Sequence, residues 1–156
     1  MMNPVDLKSL ISLVDEVLSN QEVKFSEKRL VLKKYIPHDI GSLWCDKNKL
    51  REVITNLLGY SIKNTPSGGR ITVKLTGDVN EMHFEISDTG PGIAKEYLDK
   101  LFDKIEHVTA GKIENVNLNF PVTKEIIELH KGKVSASSEL GKGTRFTFTL
   151  PKDLRK

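Results

Sequence analysis

Three segments of the chain alternate strictly between apolar and polar residues: Ile71-Thr72-Val73-Lys74-Leu75, Met82-His83-Phe84-Glu85-Ile86 and Phe146-Thr147-Phe148-Thr149-Leu150. Side chains of a strand point alternately to its two faces, so each segment is apolar on one side and polar on the other. A sheet built from them has one face to bury and requires one layer of helices. Three helical stretches are available to supply it. Leu7, Leu10, Ile11, Val14, Val17 and Leu18 form one stripe; Leu50, Val53, Ile54, Leu57, Leu58 and Ile62 form a second within Lys47 to Asn64; Thr123 to His130 carries a third. The pattern predicts a two-layer α/β (α+β) sandwich with a mixed, mostly antiparallel sheet.

The punctuation agrees. A strand is predicted at about Arg29 to Tyr35, a turn at Pro37 to Gly41 and a short strand at Ser42 to Asp46, with Asp46 placed to cap the second helix. Thr65-Pro66-Ser67-Gly68-Gly69 stops that helix. Gly77-Asp78-Val79-Asn80 turns a hairpin between the first two alternating segments, and a short helix is predicted around Ala94 to Phe102. Pro121 opens the third helix, where its missing amide hydrogen costs little, and Gly132 ends it. Lys133 to Ser138 and Thr144 to Leu150 make the last hairpin.

A chain of 156 residues, 38% apolar and 29% charged, suits a single domain over 1–156. No apolar run approaches the length of a membrane span, and Met1-Met2-Asn3-Pro4 lacks the regions of a signal peptide, so a cytoplasmic location is predicted. Cys45, the only cysteine, excludes an internal disulfide and sits in the apolar run Leu43-Trp44-Cys45, where a buried structural thiol is expected. The 24 basic residues are scattered among 21 acidic ones, for a net charge of +3, so nucleic acid is not an expected partner. His38, His83, His107 and His130 show no metal-ligand spacing.

Asp88-Thr89-Gly90-Pro91-Gly92-Ile93 follows directly on the second alternating strand. A carboxylate fixed at a strand end can accept a hydrogen bond from an exocyclic amine such as that of adenine, while Gly90 and Gly92 let a planar base approach the main chain. An aspartate before two glycines is also an ordinary turn, and the motif alone does not choose between the two. Similarly, Thr144 in Gly141-Lys142-Gly143-Thr144 either joins a site or merely starts a strand, and Lys63 is either a ligand or a solvated lysine.

Taken in order, the helix Lys47 to Asn64, the Asp88 turn, Leu101-Phe102, the helix after Pro121 and the Gly141 to Phe146 turn resemble the N, G1, F and G2 boxes of the catalytic ATP-binding domain of sensor histidine kinases. The similarity runs from Val5-Asp6-Leu7 to Leu150-Pro151. It implies the Bergerat fold, a five-stranded sheet on three helices with a flexible lid at about 103–119. It also implies ATP or ADP as ligand, with Asp88 binding the adenine amine, Gly90 and Gly92 the turn around it, Thr144 a supporting contact, Lys63 a phosphate contact and Asn56 a catalytic role. Partners implied are the dimerisation domain that carries the phosphorylated histidine in the parent kinase and the receiver domain of a response regulator. The isolated domain is expected to be a monomer, and the resemblance is compatible with its being the cytoplasmic part of a membrane-bound sensor.

The departures are as informative as the matches. Asn56 stands where related chaperone, gyrase and mismatch-repair ATPases carry a water-activating glutamate, and asparagine cannot act as that base. The four-residue spacing from Asn56 should bring a second asparagine as magnesium ligand, but that position is Tyr60, and a neutral phenol is a poor ligand for so hard a cation. The positions of three lid glycines hold Asn115, Asn117 and Asn119, and Asn119 is read as the cap of the helix opened by Pro121. Lys104-Ile105-Glu106-His107 lacks the aromatic pair of the F box, and Asn64 replaces a residue that packs near the base. Two functions follow as expectations: a histidine-kinase catalytic domain with impaired phosphotransfer and doubtful magnesium binding, or a degenerate kinase-like module that regulates a partner. A chaperone- or topoisomerase-like ATPase is disfavoured by Asn56.

Overall fold

The computed structural model describes residues 2–36, 42–102 and 119–152. Its elements, in chain order, are β1 (Asn3–Asp6), α1 (Leu7–Ser19), α2 (Glu22–Lys28), β2 (Val31–Tyr35), β3 (Ser42–Cys45), α3 (Lys47–Asn64), β4 (Arg70–Gly77), β5 (Glu81–Asp88), α4 (Lys95–Leu98), α5 (Asn119–Leu129), β6 (Lys133–Glu139) and β7 (Gly143–Pro151). Five strands form a mixed sheet in the order β2-β4-β5-β7-β6, parallel only between β2 and β4. A separate antiparallel ribbon joins β1 to β3.

The alternation works as the sequence requires. Ile71, Val73, Leu75, Met82, Phe84, Ile86, Phe146, Phe148 and Leu150 are all at most 2% exposed, on the face covered by helices. Their neighbours Lys74, Glu85, Arg145 and Thr147 lie on the other face, in register across β4, β5 and β7. α3 occupies the middle of the helical layer and touches both α1 and α5. In α1 the buried stripe includes Leu13 as well as Leu10, Val14, Val17 and Leu18, while Ile11 is only partly covered.

Capping explains where the helices begin. The Asp6 carboxylate accepts from the Ser9 amide at 2.8 Å, and Asp46 accepts from the amides of Asn48 and Lys49 at 3.1 and 3.2 Å. The helix expected at Ala94 to Phe102 is confined to α4. α5 begins at Asn119, two residues before the expected start, which puts Pro121 inside the first turn, where no intrahelical bond needs its amide. At the other end the chain turns through Lys131, in the left-handed region at φ +58, and the Gly132 amide donates to the Ile127 carbonyl at 2.9 Å. Two elements, β1 and α2, have no counterpart in the sequence reading.

Buried His130 stitches α5 to the start of α3. Its Nε2 accepts from the Asp46 amide at 3.0 Å, so the ring proton resides on Nδ1, which donates to the Ile126 carbonyl at 2.9 Å.

Candidate functional site

Antiparallel register brings the site together. Asp88, at the end of β5, pairs with Ile71 of β4 and Thr144 of β7 and is 7% exposed. One carboxylate oxygen, Oδ1, accepts from the Gly90 amide at 2.9 Å and the Thr144 amide at 3.3 Å. The other, Oδ2, is buried and has no partner. Burial pushes the Asp88 carboxyl above the usual range, and the Gly90 amide, the nearby Ser61 hydroxyl and the Thr144 amide pull in the opposite direction. That hydroxyl belongs to Ser61 of α3, which is fully buried and stands close enough to Asp88 to favour its charged form.

Thr144 belongs to a second small network. The Ser138 hydroxyl donates to the Gly143 carbonyl at 2.8 Å and accepts from the Ile93 amide at 2.7 Å. With the Ser138 proton so engaged, the Thr144 hydroxyl, 3.0 Å away, is the donor between the two. Ser138 therefore ties the end of the Asp88 turn to the start of β7. Thr144 is the second residue of that strand and a backbone donor to Asp88.

Two glycines are demanded by close packing. Gly92 has φ +82, and a side chain there would meet the Glu139 carbonyl at 2.5 Å. Gly143 has φ +121, and a side chain there would run into the Asp88 carbonyl. Gly90 faces the Asn64 carbonyl and Asp88 Oδ1, each 3.0 Å from where its Cβ would stand.

The α3 residues singled out by spacing are placed differently from one another. The Asn56 amide donates to the Thr123 hydroxyl of α5 at 3.3 Å, and Asn64 donates to the Tyr60 carbonyl at 2.9 Å. Lys63 is exposed in the last turn, and its carbonyl accepts from Lys28 Nζ at 3.1 Å, as that of Ile62 does at 2.6 Å. Tyr60 is 6% exposed, with its ring edge-on to Phe120 at 5.1 Å and to Phe146 at 5.5 Å; Phe102 meets Phe120 at 5.7 Å. Burial, with a smaller contribution from the Asp88 charge, pushes the Tyr60 phenol up to about 12, so it is neutral at physiological pH. Cys45 is buried and its thiol is pushed up to about 11 by burial, with Asp46 adding to the effect.

Asn115, Asn117 and Lys104 to His107 lie outside the described residues, and of Asn119 only its place at the head of α5 is described. A cavity of about 340 Å³ opens beside Asp88 and Thr144, lined also by Ser87, Ser137, Arg145 and Lys142. No α3 residue and neither glycine of the Asp88 turn lines it.

An orphaned, buried carboxylate oxygen beside a backbone held open by glycine fits an adenine ring, whose amine has a proton to give. The same residues do not fit magnesium. The expected ligand position holds a packed neutral phenol, and among the described residues no group of three His, Cys, Asp or Glu could hold a metal ion. Ser61, Ser138 and Lys28 are the residues that sequence reasoning missed. Nothing in their local sequence marks them: Ser61 approaches Asp88 of β5, Lys28 meets the end of α3, and Ser138 joins the turn after β5 to its own hairpin.

Comparison with known proteins places this geometry. Residues 45–154 match the family described as histidine kinase-, DNA gyrase B- and HSP90-like ATPase. The adaptive-response sensory kinase SasA of Rippkaea orientalis is 36% identical over 141 residues, which are 89% of this chain and 36% of that protein. The chain thus spans little more than a third of the length of this relative. The nucleotide-free catalytic domain of histidine kinase ThkA superimposes with a TM-score of 0.83 at 22% identity, covering 97% of this chain and 98% of that one. ThkA in complex with response regulator protein TrrA gives 0.79 at 22% identity, covering 99% of this chain and 43% of that one. Sheet order, helical layer and family match agree: the fold is that of histidine kinase catalytic domains, and the chain belongs to the histidine kinase-, DNA gyrase B- and HSP90-like ATPases.

Proposed function

We propose that the chain binds ATP or ADP through the adenine ring at Asp88 and that its transfer of the γ-phosphate to a histidine is impaired. The observation that carries the first part is the unpartnered Asp88 Oδ2, held in place because two backbone amides fix its sister oxygen. The acceptor histidine belongs to a separate dimerisation domain of a longer parent, on the cytoplasmic side, and the domain alone is a monomer. A response regulator receiver domain is the downstream partner; the complex of ThkA with its response regulator supports this by analogy.

Impairment follows from the chemistry of phosphoryl transfer, which depends on positioning and charge neutralisation rather than on covalent help. Asn56, the proposed catalytic residue, is engaged with Thr123, and Tyr60 offers no charge and no well-placed oxygen for a cation. Asn115, Asn117 and Asn119 replace glycines that the family uses near phosphate. A second reading, a kinase-like module that binds nucleotide weakly and regulates a partner, is favoured by the packing of Tyr60 against Phe120 and Phe146.

The test is titration calorimetry with ATP and ADP, using Asp88→Asn as control, together with a variant carrying Tyr60→Asn and glycine at 115, 117 and 119. Binding lost in the control supports adenine recognition at Asp88. Gain of magnesium-dependent ATP affinity in the multiple variant supports the account of impairment. Equal binding by control and parent would remove Asp88 from the site, and no gain in the multiple variant would refute the explanation of impairment.

A further inference from the structure

The five-stranded sheet has two edge strands, β2 and β6, and they are left in different condition. β6 packs against α4 and α5. β2 pairs with β4 on one side, and no strand among the described residues pairs with its other side. The Val31 amide donates to the Gly69 carbonyl at 2.9 Å, toward β4. Backbone groups of successive residues in a strand point to opposite edges, so the amides and carbonyls of Leu32 and Lys34 point away from β4. They are a template for one more strand.

On the helical side, a cavity of about 380 Å³ opens between α1, α2 and β2. Its floor is apolar: Leu18 is buried, and Phe25, Leu30 and Leu32 pack on the core. Asp15 of α1 and Glu22 of α2 line it as well. Asp15 is matched by Lys34 Nζ at 2.9 Å, whereas Glu22 is exposed and has no ion-pair partner among the described residues. An apolar floor beside one unmatched carboxylate suits a long side chain with an aliphatic stem and a cationic head. On the open face, Val31 and Tyr35 are 48% and 53% exposed, on either side of exposed Lys33. β-Branched residues opposite Val31 and Tyr35, with an acid opposite Lys33, complement that face. A second copy of β2 paired about Lys33 or Lys34 sets like charges against each other, which disfavours it as the occupant.

We propose that the free edge of β2 is a docking site for an extended segment of another protein, which adds as an antiparallel strand and places an arginine or lysine in the cavity beside Glu22. Main-chain bonds to Leu32 and Lys34 supply affinity, and the cavity selects the basic side chain. No residue of the Asp88 turn takes part, so the docking site stands whether or not nucleotide binds.

The probe is the capped, dye-labelled peptide Thr-Val-Thr-Glu-Arg-Val-Thr, which when run antiparallel sets its Arg opposite Leu32 and its Glu opposite Lys33. Anisotropy gives its affinity for the whole chain, and NMR-detected hydrogen exchange gives its place. Expected are a Kd on the order of 100 μM or tighter and slowed exchange at the Leu32 and Lys34 amides. Methylating the backbone nitrogens of the Arg and of the Thr before Glu removes bonds to Leu32 and Lys34 and should weaken binding by at least about tenfold. Glu22→Lys, at an exposed position, should weaken the Arg peptide by about fivefold and favour instead a peptide with Glu in place of Arg. No binding, undiminished binding by the methylated peptide, or protection elsewhere than β2 overturns the proposal. Equal affinity of parent and Glu22→Lys overturns the selection of a basic side chain. A dimer in sedimentation that excludes the peptide assigns the edge to a second copy and overturns the proposal too.

Discussion

Asp88 is a carboxylate that the fold keeps at a cost. Burial raises its pKa, and the amides of Gly90 and Thr144 offset only part of the effect. The sign follows from linkage. A carboxyl whose folded pKa lies above its unfolded value contributes stability below the unfolded pKa and loses that contribution as pH rises through the folded one. Asp88→Asn, which keeps an oxygen for the two amides and removes the charge, should therefore raise the Tm of the ligand-free protein at neutral pH. The gain should shrink as pH is lowered through the folded pKa of Asp88, where the parent becomes neutral too. Thermal melts of both proteins across pH 4 to 8 check this, and a gain independent of pH would mean that charge burial is not its source. The sequence exposed Asp88 because the strand, the carboxylate and the glycines are contiguous. It hid Ser61 and Ser138, ordinary serines whose meaning comes from α3 lying over the sheet and from the register that sets β6 against β7. Tyr60 was legible only in part: its chemistry excludes a metal ligand, but its packing depends on Phe120 and Phe146, far along the chain.

Among the elements, the three long helices and the alternating strands were legible because each carries a full period of buried side chains. α2 was not, since its seven residues bury none completely and lean on Phe25 for packing. Nor was β1, where Pro4 argues against a strand and pairing with β3 is the reason it is one. Yet α2 has a task at the site. Lys28 donates from its Nζ to the Ile62 and Lys63 carbonyls, and its own carbonyl accepts from the Gly68 amide at 2.8 Å. A cation on the free carbonyls of a helix C-terminus satisfies them and opposes the helix dipole. Those carbonyls belong to the last turn of α3, which also sets the Asn64 carbonyl against Gly90. Lys28→Met should lower stability by about 1 kcal/mol, measured by urea unfolding, and speed amide exchange in the last turn of α3. A variant as stable as the parent, with unchanged exchange, would show that the last turn holds without it.

For the whole molecule, the sheet order separates neighbours made by a short turn from neighbours made by a long detour. β4 with β5, and β6 with β7, are hairpins. β2 instead meets β4 in parallel register, Val31 opposite Arg70 and Tyr35 opposite Lys74, with β3 and all of α3 intervening. Closing such a loop loses chain entropy before any contact repays it, so β2 should join after the β4–β5 hairpin has formed. Pulse-labelled hydrogen exchange during refolding would find amides of β4 and β5 protected before those of β2; simultaneous protection would mean that topology does not set the order. The seam between β2 and β4 is then one of two that assemble late, the other being that between β5 and β7. A nascent chain holds an unpaired, half-apolar strand at the first of these until α3 and β4 have followed it, which makes β2 the edge most in need of shelter before folding is complete.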